Sequence, residues 1–126
     1  MIWNETEGWM LYSTKKKVIY ESLKEKQHLV VYEGDSQISC LAVSNDFKHL
    51  AIGHGNPNST TAEIILYDLS TLEFRQVNRL CFHDKGVSHI RFSNDSNYLV
   101  SVGSHEEQCI VIWSREEGTV LQTCAS

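Results

Sequence analysis

Residues 38–43 read Ile-Ser-Cys-Leu-Ala-Val, with apolar or small side chains on both alternating sets of positions. A strand patterned this way is covered on both faces, as an inner strand in a stack of sheets is. Ser44-Asn45-Asp46-Phe47-Lys48 follows, a turn composition whose short polar side chains bond their own backbone. The same order returns 49 positions later as Val87-Ser88-His89-Ile90-Arg91-Phe92 and the turn Ser93-Asn94-Asp95-Ser96-Asn97. Leu50 returns as Leu99 in the same register, and Ile64-Ile65-Leu66-Tyr67-Asp68 returns 46 positions on as Ile110-Val111-Ile112-Trp113-Ser114. The register slips by three because the loop after Gly53 is longer than the loop after Gly103. A repeat of about 40–50 residues marks propellers, solenoids or arrays.

Strand periodicity continues through each repeat. Residues 49–53 and 98–103 predict second strands, 63–67 and 109–113 third strands, and 74–82 and 119–123 fourth strands beyond turns at 68–71 and 115–118. Four short antiparallel strands per repeat make a propeller blade, so the chain is expected to be all-β. Ahead of these two repeats, residues 9–13, 17–22 and 28–32 fit second, third and fourth strands, with Ile2-Trp3 as the stub of a first. A helix competes for the same segment. Thr14 is able to cap one running through Val18, Ile19, Leu23 and Leu29, and residues 21–27 are rich in helix formers. Val30, Val31 and Tyr32 favour strand, and register with the later repeats supports the hairpin. The expected blades are therefore 1–34, 35–82 and 83–126.

Length then becomes informative. A chain of 126 residues holds about three blades, whereas closed propellers have roughly four to eight. An open stack displays an apolar blade face at each end. The expectation is an incomplete ring, finished by further blades beyond Ser126 or by a partner, and folding poorly alone.

Composition narrows the function classes. The chain is 41% hydrophobic and 21% charged with a single proline, and it carries no apolar run approaching the roughly 20 residues of a membrane helix. Its start lacks the basic and apolar regions of a secretory signal. Cys40, Cys81, Cys109 and Cys124 show no paired spacing and read as small buried hydrophobes in a reducing compartment. The glycosylation-like triplets at Asn4, Asn58 and Asn94 are then chance matches. Net charge is −5, yet residues 11–30 carry +3 through five lysines. Lys15, Lys16 and Lys17 are candidate contacts to an acidic partner, although a solvated turn explains them as well. Nucleic acid is disfavoured, because the overall sign is wrong and no aromatic-basic platform accompanies the lysines.

Catalytic chemistry finds no foothold. The six histidines are not spaced as metal ligands. The run Gly53-His54-Gly55-Asn56-Pro57-Asn58 lacks the third glycine of a dinucleotide loop and the lysine of a phosphate loop. No cofactor, metal or enzyme activity is expected. The polar loop over 53–61 is longer than a turn requires, and long propeller connections often carry contacts. The acidic pairs Glu106-Glu107 and Glu116-Glu117 fall in turns and read as solubilising.

The repeats resemble WD-repeat propellers, in which a Gly-His precedes the first strand and a Trp-Asp closes the third. Here the last repeat shows Phe82-His83, Ser101 and Trp113-Ser114, and the middle one shows Glu33-Gly34 and Tyr67-Asp68. Both are degenerate. The resemblance implies a buried relay of His83, Ser101 and Trp113, with Glu107 standing where the family has Asp. The middle repeat has Gly34 and Ile52 at the matching places. It is expected to rely on packing, a half-satisfied buried polar network being unfavourable. Residues 38–68 and 97–114 are similar to the cilia- and flagella-associated WD-repeat proteins and to the echinoderm microtubule-associated protein-like family. That likeness implies a structural, non-catalytic protein of the cytoplasmic cytoskeleton, on the axoneme or centriole of a cilium or flagellum. Its implied partners are tubulin and other ciliary proteins, with neither nucleic acid nor membrane. The rival function is a general adaptor propeller in a ubiquitin-ligase, trafficking or signalling complex.

Overall fold

The computed structural model describes residues 2–14, 16–33, 38–54, 62–70, 74–83, 86–103 and 109–125. They form twelve strands and, among the described residues, no helix. The first sheet holds β1 (Ile2–Asn4), β2 (Trp9–Ser13), β3 (Lys17–Ser22) and β4 (Gln27–Glu33) in that order. The hairpin wins over the helix in this segment because Lys17–Ser22 buries Val18 and Ile19 while pairing with β4 along its whole length and with β2 from Val18 to Ser22. The helix formers at 23–26 supply only the turn, with Lys26 at φ 53°.

The second sheet runs β5 (Ile38–Val43), β6 (His49–His54), β7 (Ala62–Asp68), β8 (Gln76–His83), and the third β9 (Val87–Phe92), β10 (Tyr98–Gly103), β11 (Cys109–Ser114), β12 (Thr119–Ala125). All pairings are antiparallel. His83, which opens the third repeat in sequence, is the last residue of β8. The fourfold sheet repeats down to single pairs. Leu11 faces Tyr20, Leu50 faces Tyr67 and Leu99 faces Trp113, each a leucine on the second strand opposite an aromatic on the third.

The middle sheet explains why its sequence is apolar at successive positions. On β6 Leu50 and Ile52 belong to the core shared with the first sheet, while Ala51 between them belongs to the core shared with the third. On β7 Ile65 and Tyr67 face the first sheet, and Ile64 and Leu66 face the third. The period-two geometry of a strand sends alternate side chains to opposite faces, so a sheet between two others needs both sets apolar. Polar contacts reinforce the second seam. The Ser39 hydroxyl donates to the Val87 carbonyl at 2.5 Å, and Asn45 Nδ2 donates to the Asn94 carbonyl at 3.3 Å. Three sheets stack without closing into a ring.

The turns at 44–48 and 93–97 repeat atom for atom. Ser44 Oγ donates to Asp46 Oδ1 at 2.5 Å and accepts the His49 amide at 3.1 Å, as Ser93 does with Asp95 at 2.6 Å and the Tyr98 amide at 3.1 Å. The next residue, Phe47 or Ser96, is left-handed at φ 57° or 64°. Glycine or asparagine takes that conformation most cheaply, so a phenylalanine there needs compensation from packing.

Candidate functional site

The polar centre of the third sheet is built from three strands. β8 supplies His83, β10 supplies Ser101 and β11 supplies Trp113, all essentially buried. Ser101 Oγ accepts the Trp113 indole N–H at 2.8 Å and lies 2.8 Å from His83 Nε2. One hydroxyl serves both, because its oxygen takes the indole proton and its own proton remains for the imidazole tautomer protonated at Nδ1. His83 thus ties the end of the second sheet to the middle of the third. Glu107 lies outside the described residues.

The middle sheet substitutes Ile52 at the Ser101 position and Tyr67 at the Trp113 position, and both are buried in the core shared with the first sheet. Asp68 and Ser114 do local work instead. Asp68 Oδ1 accepts the Ser70 amide at 2.8 Å and the Ser70 hydroxyl at 2.6 Å, which hold its carboxyl below the usual carboxylate range. Ser114 Oγ accepts the Glu117 amide at 3.3 Å. Gly34 lies outside the described residues, as does most of the loop after Gly53.

Lys17 does not share one patch with Lys24 and Lys26. Lys17 opens β3 and Lys24 and Lys26 sit in the turn beyond its other end, so the strand's length separates them. Lys17 Nζ reaches Glu33 Oε1 at 3.8 Å, which offsets part of its charge. Lys16 is exposed, and Lys15 lies outside the described residues.

Among the described residues no three His, Cys, Asp or Glu side chains gather as a metal site. No helix there is long and apolar enough to cross a membrane. The four cysteines are free; Cys40 and Cys109 are half-buried, but Cys81 and Cys124 are exposed on outer strands rather than buried as expected. Outer strands have only one covered face, which the strand pattern alone did not reveal. Burial pushes the Cys40 thiol up to about 11, so it is an unreactive packing group.

Two features had no sequence signal. His54 ends β6 only 4% exposed, with no hydrogen-bond partner for either ring nitrogen among the described residues and its ring against Tyr32 at 4.9 Å. Burial lowers its pKa. The second is an aromatic ladder across the first seam. Phe47 stands edge-on to Trp9 at 5.6 Å, Trp9 meets Tyr20 at 5.6 Å, and Tyr20 meets Phe74 at 5.4 Å. Phe47 and Phe74 are both left-handed, and they approach Trp9 and Tyr20 from turns distant in sequence.

The family described as "WD domain, G-beta repeat" matches residues 74–114, the span holding His83, Ser101 and Trp113. Cilia- and flagella-associated protein 52 of Chlamydomonas reinhardtii is 26% identical over 113 residues, covering 89% of this chain and 18% of that protein. Its human counterpart is 29% identical over 105 residues, covering 83% of this chain and 17% of that protein. Centriole proteome protein 16 of Chlamydomonas reinhardtii is 25% identical over 149 residues, covering 94% of this chain and 7% of that protein. Among solved structures, the C-terminal WD40 domain of Sif2 superposes with a TM-score of 0.74 at 19% identity, over 94% of this chain and 34% of that one. The chain spans less than a fifth of the length of these curated relatives.

Proposed function

We propose that this chain, a WD40-repeat domain of three blades, acts as a structural element of cilia or flagella. It reinforces the wall of axonemal or centriolar microtubules by holding partner proteins against it, and it catalyses nothing. The observation that carries this reading is the likeness to proteins named for cilia, flagella and centrioles along nearly the whole chain. The architecture supports it physically. The middle blade packs both apolar faces on its neighbours, and turns and outer strands are left for contacts with other proteins. Surfaces of that kind gain strength by repetition along a lattice, where avidity offsets weak single contacts.

A fluorescent fusion of the chain in ciliated cells tests the reading. Signal along the axoneme or at the basal body that survives detergent extraction is the expected result. Even cytosolic signal lost on extraction overturns it. Microtubule co-sedimentation at low and high salt tests tubulin as the direct partner. Lys16→Glu combined with Lys17→Glu separates a lysine contact from the others, since only that contact is reversed in sign, and salt screens what it contributes.

A further inference from the structure

His54 ends β6 almost wholly buried, and neither ring nitrogen has a hydrogen-bond partner among the described residues. A buried imidazole without partners is costly, and a positive charge on it is costlier still. The ring stands edge-on to Tyr32 of β4 at 4.9 Å, so it lies in the seam between the first and second sheets. Tyr32 packs there against the cluster of Leu11, Val18, Leu50, Ile52 and Tyr67. Ile38, the register partner of His54 on β5, brings no charge. From β7 and β8 come Glu63 and Arg79, joined to each other at 3.0 Å, and the Cys81 thiol lies 3.9 Å from the Glu63 carboxylate. In the first sheet, Lys17 and Glu33 pair at 3.8 Å one position beyond Val18 and Tyr32. The charged groups of these strands are thus engaged with one another.

We propose that His54 is a proton-operated latch of the first seam: neutral, it lets the first and second blades close on each other, and protonated, it parts them while the second seam holds. An imidazolium has two N–H donors that need acceptors or water. The closed seam supplies no acceptor among the described residues, so hydration requires the ring to leave Tyr32 and uncover that end of the cluster. Burial lowers the His54 pKa, with Glu63 opposing and Arg79 acting in the same sense. The closed seam therefore has its full strength above the ordinary imidazole pKa of about 6.5 and weakens as pH falls below it. The two seams differ in what else holds them. Aromatic contacts of Trp9 with Phe47 and of Tyr20 with Phe74 line the first, whereas the second adds hydrogen bonds from Ser39 to Val87 and from Asn45 to Asn94. His49 stacks on Phe92 across the second seam at 6.5 Å, but it is only half-buried and has Asp46 and Asp68 beside it to meet a charge. The latch acts within the chain, whether or not its partners are ciliary.

The three tryptophans are placed to test this: Trp9 packs in the first seam, Trp113 in the second, and Trp3 is exposed. Fluorine NMR of the 126-residue chain labelled with 5-fluorotryptophan, recorded in light and heavy water, reads the solvent access of each. Between about pH 7.5 and about pH 5.5, where a histidine is the side chain that changes charge, the Trp9 isotope shift is expected to rise toward that of Trp3 while Trp113 stays constant. His54→Leu and His54→Gln cannot take up the proton, and each is expected to keep Trp9 covered at both pH values. Leucine suits the apolar seam and glutamine keeps a polar group, so a failure of one variant to pack leaves the other as the test. A Trp9 shift that stays constant in the unaltered chain, Trp9 and Trp113 responding together, or a Trp9 response that persists in a folded variant overturns the proposal.

Discussion

Ser101→Ala removes one oxygen and tests how much the polar centre of the third blade contributes. The Ser101 hydroxyl is fully buried and bonded at 2.8 Å to both the Trp113 indole and the His83 imidazole, themselves 2% exposed. Deleting it takes a partner from two polar groups that water cannot reach. Each such loss costs about 1–3 kcal/mol, more than the roughly 1 kcal/mol that a hydrogen bond contributes net. Alanine adds little offsetting stability, since the site is tight and the lost atom is small. The expected destabilisation is about 2–4 kcal/mol. Urea unfolding of the chain followed by far-ultraviolet circular dichroism measures it without relying on tryptophan emission. Trp113→Phe keeps most of the packing and deletes the indole N–H, so combining it with Ser101→Ala gives a coupling energy of about 1–2 kcal/mol if the two groups act together. A Ser101→Ala cost under about 0.5 kcal/mol with no coupling would refute the relay as a stabilising unit.

Gly53→Ala places a Cβ 2.5 Å from Cys40 Sγ, 3.0 Å from Ile90 Cδ1 and 3.3 Å from Val87 Cβ. Overpacking at that seam is expected to cost about 1–3 kcal/mol, with partial recovery when Cys40→Ala makes room; a neutral urea midpoint for Gly53→Ala refutes the close approach. His54 is held below its ordinary pKa by burial, with Arg79 acting in the same sense and Glu63 opposing. Protonation therefore favours the unfolded chain, and stability should fall as pH drops below about 6.5, with no effect above it. His49 is shifted the same way, so the diagnostic is the difference: His54→Leu should flatten the loss between pH 7 and 5, and an unchanged slope refutes the assignment. Phe47→Ala keeps the left-handed strain and loses the ring contact with Trp9, whereas Phe47→Gly also relieves the strain. Alanine should be the less stable of the two by about 1 kcal/mol, and the reverse order in thermal melts refutes the strain.

The repeat, the strand order and the doubly covered middle sheet were legible because strand geometry converts directly into sequence period. Ile64, Ile65, Leu66 and Tyr67 cannot all be apolar in a strand with one wet face, so a sheet on each side was required before any contact was known. His83, Ser101 and Trp113 were nameable through the resemblance to WD-repeat propellers, and the structure joins the three side chains through 2.8 Å contacts to Ser101.

What the sequence left open depends on faces formed between blades. Cys81 and Cys124 belong to strands like the other cysteines, but their exposure follows from lying on outer strands. Lys17 and Lys24 look like one basic segment in the linear order, and a strand six residues long carries them to opposite ends. Trp9 meets Phe47 and Tyr20 meets Phe74 only because one blade's second and third strands lie under another blade's turns. Periodicity fixes which side of a strand a residue occupies, a local property of the backbone. Which distant residue waits on that side is settled by how the sheets stack, and that decided the isolation of His54.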